Sequence, residues 1–185
     1  MSDTTLTEAP VDNTAGISLE ALLAAKERRA VRQQALLTRY GMTLVSLTLV
    51  TPGPVKDSAL YRRGMRAAVA AFTALVMARG WTVREQQLHW LATGAEGFWV
   101  VDKDALTVKA ATTALEEQHP LGRVWDFDVF CPREGSVSRG MLAYPKRTCV
   151  LCGEPAHACA RSRRHPLPDV IARIEELLHG NVDTE

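Results

Sequence analysis

Two carboxylates separated by one residue, Asp126 and Asp128, stand in the otherwise apolar segment "HPLGRVWDFDVF" (119–130). In a β-strand, side chains two positions apart point to the same side, so both aspartates would face one way. Carboxylates that close repel each other, and one tends to stay protonated unless a cation lies between them. Mg²⁺ is often held by one or two carboxylates together with substrate phosphates. The pair therefore predicts a magnesium site for phosphoryl or nucleotidyl transfer, with a solvated surface strand as the alternative.

The residues around the pair and a second loop add candidates for phosphate binding. Gly122 permits a close backbone approach, and Arg123 has the forked geometry that neutralises phosphate oxygens, although an ion pair with an aspartate is its alternative. Lys56 follows a Pro-Gly-Pro turn at the start of a predicted helix, which is a natural anion site. The alternative for this residue is an exposed loop lysine.

Further basic side chains lie on two predicted helices. Arg29 and Arg32 give the first helix a basic sector, and Arg63 falls in the first turns of the second. They are candidates for binding phosphates or an acidic protein surface, although such arginines are more often solvated helix faces.

A cysteine-rich segment, residues 145–166, has the spacing C-x2-C-x6-C followed by a histidine. The first two cysteines have the separation of a zinc knuckle, and a histidine would complete a tetrahedral structural zinc site. Reduced cysteines that pack the loop onto the last helix are the alternative. The candidate zinc ligands are Cys149, Cys152, Cys159 and His165, with His157 as the other possible fourth ligand.

Helical periodicity and short β-branched runs alternate along the chain and must position these residues. Ser18 is a predicted N-cap, Gly41 a predicted helix end, and Asp57 or Ser58 the cap of the second helix. The pattern predicts an α/β or α+β fold with a mixed sheet. Predicted strands are 43–51, 81–92, 98–101 and the run around the aspartates, and predicted helices are 19–40, 59–79, 104–118 and 167–180.

Composition limits the function. The chain has 185 residues, which predicts a single domain, and a net charge of +1, which gives no strong overall attraction to nucleic acid. No apolar run reaches the roughly 18 residues of a membrane span, and residues 1–16 lack signal-peptide features, so we expect a cytoplasmic protein. Residues 1–16 are predicted to be a flexible tail and 17–180 the folded domain.

Four segments occur together in an order that resembles one family: "PGPVKDS", "TGAEG", "HPLGRVWDFDV" and "RTCVLCGEPAHACARSRRH". Over roughly Ser18 to Leu178 the chain is similar to holo-citrate lyase synthase, the apo-citrate lyase phosphoribosyl-dephospho-CoA transferase family (CitX). The resemblance implies a nucleotidyltransferase-like enzyme. It would transfer 2'-(5''-triphosphoribosyl)-3'-dephospho-CoA to a serine of the acyl carrier protein subunit of citrate lyase and release diphosphate.

The resemblance also implies roles for single residues. Asp126 and Asp128 would hold Mg²⁺, and Arg123 stands where related nucleotidyltransferases are expected to carry a serine, so its charge would replace a hydroxyl contact to the leaving diphosphate. Many related enzymes use a third carboxylate, for which Glu116 and then Glu96 are the candidates. The alternatives are a solvated helix glutamate and a polar turn residue.

Three other functions fit parts of the sequence. A zinc knuckle beside a basic segment is typical of nucleic-acid-binding proteins, but the aromatic fraction of 6% offers no evident stacking platform. A protein that only chaperones the carrier subunit would leave the aspartates unexplained. An equivalent transferase for the carrier of malonate decarboxylase is closer, but "PGPVKDS" and "HPLGRVWDFDV" favour the citrate lyase branch.

Overall fold

The structure, a computed structural model, describes residues 4–8 and 16–182. Its strands and helices alternate along most of the chain. The strands are β1 (Thr4–Glu8), β2 (Thr43–Leu49), β3 (Val83–Trp90), β4 (Glu96–Val101), β5 (Trp125–Cys131) and β6 (Gly135–Val137). The helices are α1 (Leu19–Tyr40), α2 (Ala59–Ala78), α3 (Ala105–Gln118), α4 (Ala156–Ser162) and α5 (Leu167–Val182), with a short 3₁₀ turn at Arg139–Leu142.

The strands of the described residues form one six-stranded sheet in the order β1-β3-β4-β2-β5-β6. All neighbours pair antiparallel except β1 and β3, which run parallel. The sheet is therefore mixed, and the predicted α/β or α+β fold with a mixed sheet is confirmed. Because β2 lies between β4 and β5, it joins the "TGAEG" segment to the strand that carries the aspartates.

The helix boundaries follow the capping signals in the sequence. Ser18 Oγ accepts a hydrogen bond from the Ala21 amide at 3.1 Å, and Ser58 Oγ accepts one from the Tyr61 amide at 3.1 Å. Such caps satisfy amides that the first helical turn leaves without partners. Gly41 ends α1 with φ of 59°, a left-handed conformation that glycine adopts without steric cost.

The main hydrophobic core lies between one face of the sheet and helices α2, α3 and α5. Every second residue of β5 points into this core, which is the alternation expected of a strand with one buried face. The large side chains of the core include Phe72, Trp99, Trp125, Phe127, Ile174 and Leu178. Burial of Trp125, Phe127 and Val129 forces the intervening aspartates onto the opposite face.

Helix α1 covers part of that opposite face. Leu36 packs with Leu44, Phe98 and Val100 in a second, smaller hydrophobic cluster. This contact fixes α1 across β2 and β4, and the N-terminal half of the helix extends beyond it. The basic sector of α1 is thereby held over the polar part of the sheet.

Some elements differ from the sequence prediction. Within the predicted flexible tail, Thr4–Glu8 form a strand that pairs with β3, and the rest of residues 1–15 lies outside the described part of the chain. Strand β4 begins at Glu96, inside the predicted turn, and the cysteine-rich segment contains the unpredicted helix α4. In the described ranges, no helix has the length and apolar composition needed to cross a membrane.

Candidate active site

The two aspartates lie on the polar face of the sheet, beside hydroxyl groups of β2. In the register of the two strands, Asp126 is opposite Thr48 and Asp128 is opposite Ser46. Residues directly opposite each other in a sheet have Cβ atoms about 4.5–5.5 Å apart and point to the same face. The predicted shared face of Asp126 and Asp128 is thus confirmed, and it presents a group of oxygen atoms.

The surroundings of Asp128 change its protonation. Loss of solvation and then the charge of Asp126 raise the pKa of Asp128 to about 6, although part of the Asp128 side chain remains exposed. The positive charges of Lys109 and Arg29 oppose this rise. Asp128 therefore retains a proton above the pH at which an ordinary aspartate ionises, as expected for a carboxylate that loses solvation beside a like charge.

Arg147 is the positive partner of the pair. Its Nη1 donates to Asp126 Oδ1 at 3.0 Å, and its Nη2 donates to the carbonyl oxygens of Trp125 and, at 3.4 Å, Gly122. The sequence analysis missed Arg147, because it stands near the start of the cysteine-rich segment and far from the aspartates in sequence. The basic character of that segment was its only signal.

Arg123 and Gly122 have local roles that differ from those first considered. Arg123 Nη2 donates to the carbonyl oxygen of Thr148, and the ion pair suggested for Arg123 is made by Arg147 instead. A Cβ atom at Gly122 would collide with the backbone of Glu116, so this glycine lets the turn approach the end of α3. Their predicted contacts with substrate stay predictions.

Glu116 is a buried residue of α3, with 3% of its surface exposed. Its Oε1 accepts a hydrogen bond from the Phe127 amide at 2.7 Å, and its Oε2 accepts one from Arg139. On the same helix, Lys109 Nζ donates to the Phe127 carbonyl at 2.7 Å. The side chains of α3 therefore bond the backbone between the two aspartates, and Glu116 is not a solvated helix residue.

Glu96 is the other candidate carboxylate and lies on the polar face. It is 3% exposed, and it forms ion pairs with Arg32 at 2.7 Å and Arg29 at 3.6 Å. Burial raises the pKa of Glu96, while the two arginines oppose the rise. Two strand spacings separate Glu96 from Asp126, about 10 Å. The charge of Arg29 also opposes the raised pKa of Asp128.

A small cavity of about 200 Å³ opens beside Glu96 and Thr48, between α1, the start of α2 and the "TGAEG" segment. Four cations line it, and two of them are paired with lining carboxylates, Arg62 with Asp57 and Arg29 with Glu96. The other two are Lys26 and Lys56. Burial, and then the charge of Lys26, lower the pKa of Lys56, whose Nζ donates to the Thr51 carbonyl. Lys56 and Arg29, which were separate candidates in the sequence, thus line one cavity. Arg63 does not line this cavity, and its buried Nε has no hydrogen-bond partner among the described residues.

The candidate metal ligands of the cysteine-rich segment meet in space, and we call them the Cys3His cluster: Cys149, Cys152, Cys159 and His165. All their ligand atoms lie within 4.8 Å of one another. The Cys152 Sγ is 3.6 Å from the Cys159 Sγ and 3.3 Å from His165 Nε2. In a tetrahedral site with Zn–S bonds of about 2.3 Å, sulfur atoms are about 3.8 Å apart. The cluster could thus bind a metal such as zinc.

Together, these features define the class of the protein. A mixed sheet with a strand-borne carboxylate pair that faces a cationic helix is the arrangement of a nucleotidyltransferase-like α/β enzyme. Comparison with protein families matches residues 17–181 to apo-citrate lyase phosphoribosyl-dephospho-CoA transferase. The chain belongs to this family.

Individual relatives agree with the family match. A protein of Citrobacter koseri named apo-citrate lyase phosphoribosyl-dephospho-CoA transferase is 45% identical over 163 residues, which are 88% of this chain and 89% of the relative. A protein of the same name from Escherichia coli O1:K1 is 42% identical over the same shares of the two chains. The family and both relatives carry the citrate lyase name, so the comparisons favour the citrate lyase branch over the three alternatives considered from the sequence.

Proposed function

We propose that this protein attaches the prosthetic group of citrate lyase, as the names of its relatives describe. The substrate would be 2'-(5''-triphosphoribosyl)-3'-dephospho-CoA, and the acceptor a serine of the acyl carrier protein subunit. The serine oxygen forms a bond to the α-phosphorus, the bond from that phosphorus to the leaving diphosphate breaks, and the serine proton passes to a base or to water. Family membership carries this proposal, and the carboxylate pair supports it chemically.

Asp126 and Asp128 are the proposed ligands of Mg²⁺. Their oxygens, with the hydroxyls of Thr48 and Ser46 opposite, form the hard donor set that this ion prefers. The raised pKa of Asp128 also fits a site whose like charges a cation would relieve. A bound Mg²⁺ supplies charge neutralisation at the transferred phosphate and the leaving diphosphate. The aspartates hold this position, and one of them can accept the serine proton.

The small cationic cavity is the proposed site of the leaving diphosphate. Lys56, Lys26 and Arg29 line it, and Thr48 connects it to Asp126 across the β2–β5 pair. Fixed positive charges at this place stabilise negative charge that develops on the leaving group. Arg147 lies on the other side of Asp126, where it can meet the transferred phosphate once the carboxylate is shared with a metal.

The third carboxylate is best assigned to Glu96. It shares the polar face with the aspartates, and through Arg29 and Arg32 it orients the cations of α1. Glu116 is better described as a positioning residue, because both of its oxygens bond groups that hold β5 and Arg139 in place. Contacts of Arg32, Arg63 and Arg123 with substrate stay predictions.

The Cys3His cluster is the proposed site of one structural zinc ion. Four protein ligands fill a tetrahedral site and leave no open position for catalysis. The role of the site is then to fold the segment that contains Arg147. The cytoplasmic location also stays a prediction.

Diphosphate release tests the proposed reaction directly. We expect stoichiometric release when the protein, apo carrier subunit, triphosphoribosyl-dephospho-CoA and Mg²⁺ are mixed, and no release without carrier. A carrier in which the acceptor serine is replaced by alanine is the control. Release that does not depend on that serine would contradict the proposal.

A further inference from the structure

A second cavity, of about 790 Å³, lies beside the Cys3His cluster, between the end of β2, the cysteine-rich segment and α5. Its walls are mostly apolar, with Val50, Val150 and Val170 among the lining residues. Small-molecule sites are typically concave, predominantly apolar and about 300–1,000 Å³ in volume, with a few polar groups that fix orientation. The cavity meets each of these conditions, and no ligand has been assigned to it above, although Arg147 and the cluster residues Cys149, Cys159 and His165 are among its lining residues.

Three arginines are among the polar residues of this cavity, together with Thr148, Cys149, Cys159 and His165. Arg123, Arg147 and Arg163 all line it. Loss of solvation and then the nearby charge of Arg147 lower the pKa of Arg123. Guanidinium groups placed close together are a common arrangement for binding phosphate oxygens in forked geometry. The cavity therefore combines an apolar interior with anion-binding groups.

The larger cavity is connected to the aspartates through one side chain. Arg147 lines the cavity and also bonds Asp126, so the cavity adjoins the carboxylate pair on that side. The small cationic cavity adjoins the pair on the side of Thr48, the strand partner of Asp126. The aspartates line neither cavity, and each cavity is linked to Asp126 through one residue, the small one through Thr48 and the larger one through Arg147.

The proposed reaction requires two binding sites, one on each side of the reacting phosphorus. The bond that breaks joins the α-phosphate to the leaving diphosphate, so the reacting phosphorus must lie between a diphosphate site and a site for the rest of the molecule. That remainder has an adenine ring, whose faces can pack on apolar groups, and a pantetheine arm with two amides and a gem-dimethyl carbon, joined through a ribose and a diphosphate. We infer that the cavity beside the Cys3His cluster is the subsite for the dephospho-CoA portion of the substrate. This inference rests on the proposed function.

Commercial dephospho-CoA, which lacks the triphosphoribosyl group, is the probe for this subsite. Isothermal titration calorimetry of the full-length protein should show saturable binding. Val170→Trp, which fills the cavity from α5, should weaken binding at least tenfold and raise the KM for the full substrate with little change in kcat. Ala172→Trp is the matched control, because Ala172 is exposed on the same helix and does not line the cavity. It should bind as the wild type does.

A second pair of variants repeats the test on another wall. Ala160→Trp, which lines the cavity, should also weaken binding, whereas Ala158→Trp should not, although both alanines are exposed on α4. This pair keeps the test decisive if Val170→Trp does not fold, as judged by its melting curve. Binding of inorganic diphosphate should be unchanged in all four variants, because the small cationic cavity is intact.

Two results would overturn the inference. One is an absence of dephospho-CoA binding to a wild-type protein that carries out transfer. The other is wild-type affinity in folded variants of both lining residues. Failure of the proposed function looks different, because the wild type would then not modify the carrier at all, whatever its affinity for dephospho-CoA.

Discussion

Arg147 Nη1 donates to Asp126 Oδ1 at 3.0 Å, across a sequence separation of 21 residues. The cation that the strand-borne carboxylate pair needs therefore comes from the segment that also contains the Cys3His cluster. Two features that look independent in the sequence, an Asp-x-Asp strand and a cysteine-rich loop, are parts of one site.

Arg147→Gln tests the competition between this guanidinium and a metal. The variant should bind Mg²⁺ several-fold more tightly, because no cation competes for Asp126, and should transfer more slowly at saturating Mg²⁺. The measurements are Mg²⁺ titration by calorimetry and the rate of diphosphate release. Arg133→Gln, at an exposed residue next to β5, is the control and should change neither. Unchanged Mg²⁺ affinity in Arg147→Gln would argue against the competition.

Glu116→Gln separates a positioning role from a catalytic one. The substitution weakens bonds to the Phe127 amide and Arg139, so we expect a loss of about 1–3 kcal/mol in the free energy of unfolding. Activity of the folded variant should fall less than tenfold. Glu117→Gln is the matched control, since Glu117 is more exposed and its partner is also Arg139. A loss of activity as large as that of Asp126→Asn would restore Glu116 as the catalytic carboxylate.

Asp128→Asn should stabilise the protein at neutral pH when a chelator removes metals. The folded pKa of about 6 exceeds the ordinary 3.8, so folded Asp128 retains a proton that the unfolded chain has released. Its contribution to stability therefore declines as the pH rises from about 4 to about 6 and stays low above that range. After allowance for solvent screening, we expect a gain of about 1 kcal/mol, or roughly 2–4 °C in Tm.

Melting curves measured at several pH values also test the direction of the predicted stability change. Melting curves of Asp128→Asn and wild type should coincide near pH 4 and separate toward pH 7. Asp104→Ala should behave oppositely, because the Thr107 amide lowers the pKa of Asp104, and the stability it contributes is lost as the pH falls. A stabilisation by Asp128→Asn that is equal at every pH would show that its carboxylate is not responsible.

Zinc content tests the Cys3His cluster. The purified protein should contain one zinc per chain by mass spectrometry of metals, and Cys152→Ser should contain much less and melt at a lower temperature. Cys131→Ser is the control, because Cys131 is outside the cluster. Since the segment holds Arg147, the Cys152→Ser variant should also lose transfer activity. Full activity in a zinc-free protein would contradict a role in positioning.

Local patterns predicted much of the fold. Helix caps at Ser18 and Ser58 and the alternation of β5 depend on neighbours in sequence, so the elements and the orientation of the aspartates could be predicted. The order of strands could not, because pairing of β2 with both β4 and β5 is a long-range packing outcome. For the same reason, the contact of Glu96 with α1 was not foreseen.

Long-range contacts also explain which features of the site the sequence did not predict. Arg123 precedes the pair in sequence, but its side chain turns toward Thr148, and Arg147 takes the place beside Asp126. From sequence alone, Glu116 could be a solvated helix residue. In the structure, Gly122 allows the turn before β5 to pack closely against the end of α3, where Glu116 lies. Spacing alone was enough for the Cys3His cluster, because its ligands lie in one short segment.

Intact-mass spectrometry of the carrier subunit tests the central claim most directly. Apo carrier would be incubated with triphosphoribosyl-dephospho-CoA, Mg²⁺ and either wild type, Asp126→Asn or Asp128→Asn. We predict a mass gain equal to the phosphoribosyl-dephospho-CoA group with wild type, and a loss of that gain with both variants at matched times. No gain from the wild type on a competent carrier would contradict the proposed function, and a gain that persists in both variants would contradict the role of the aspartates.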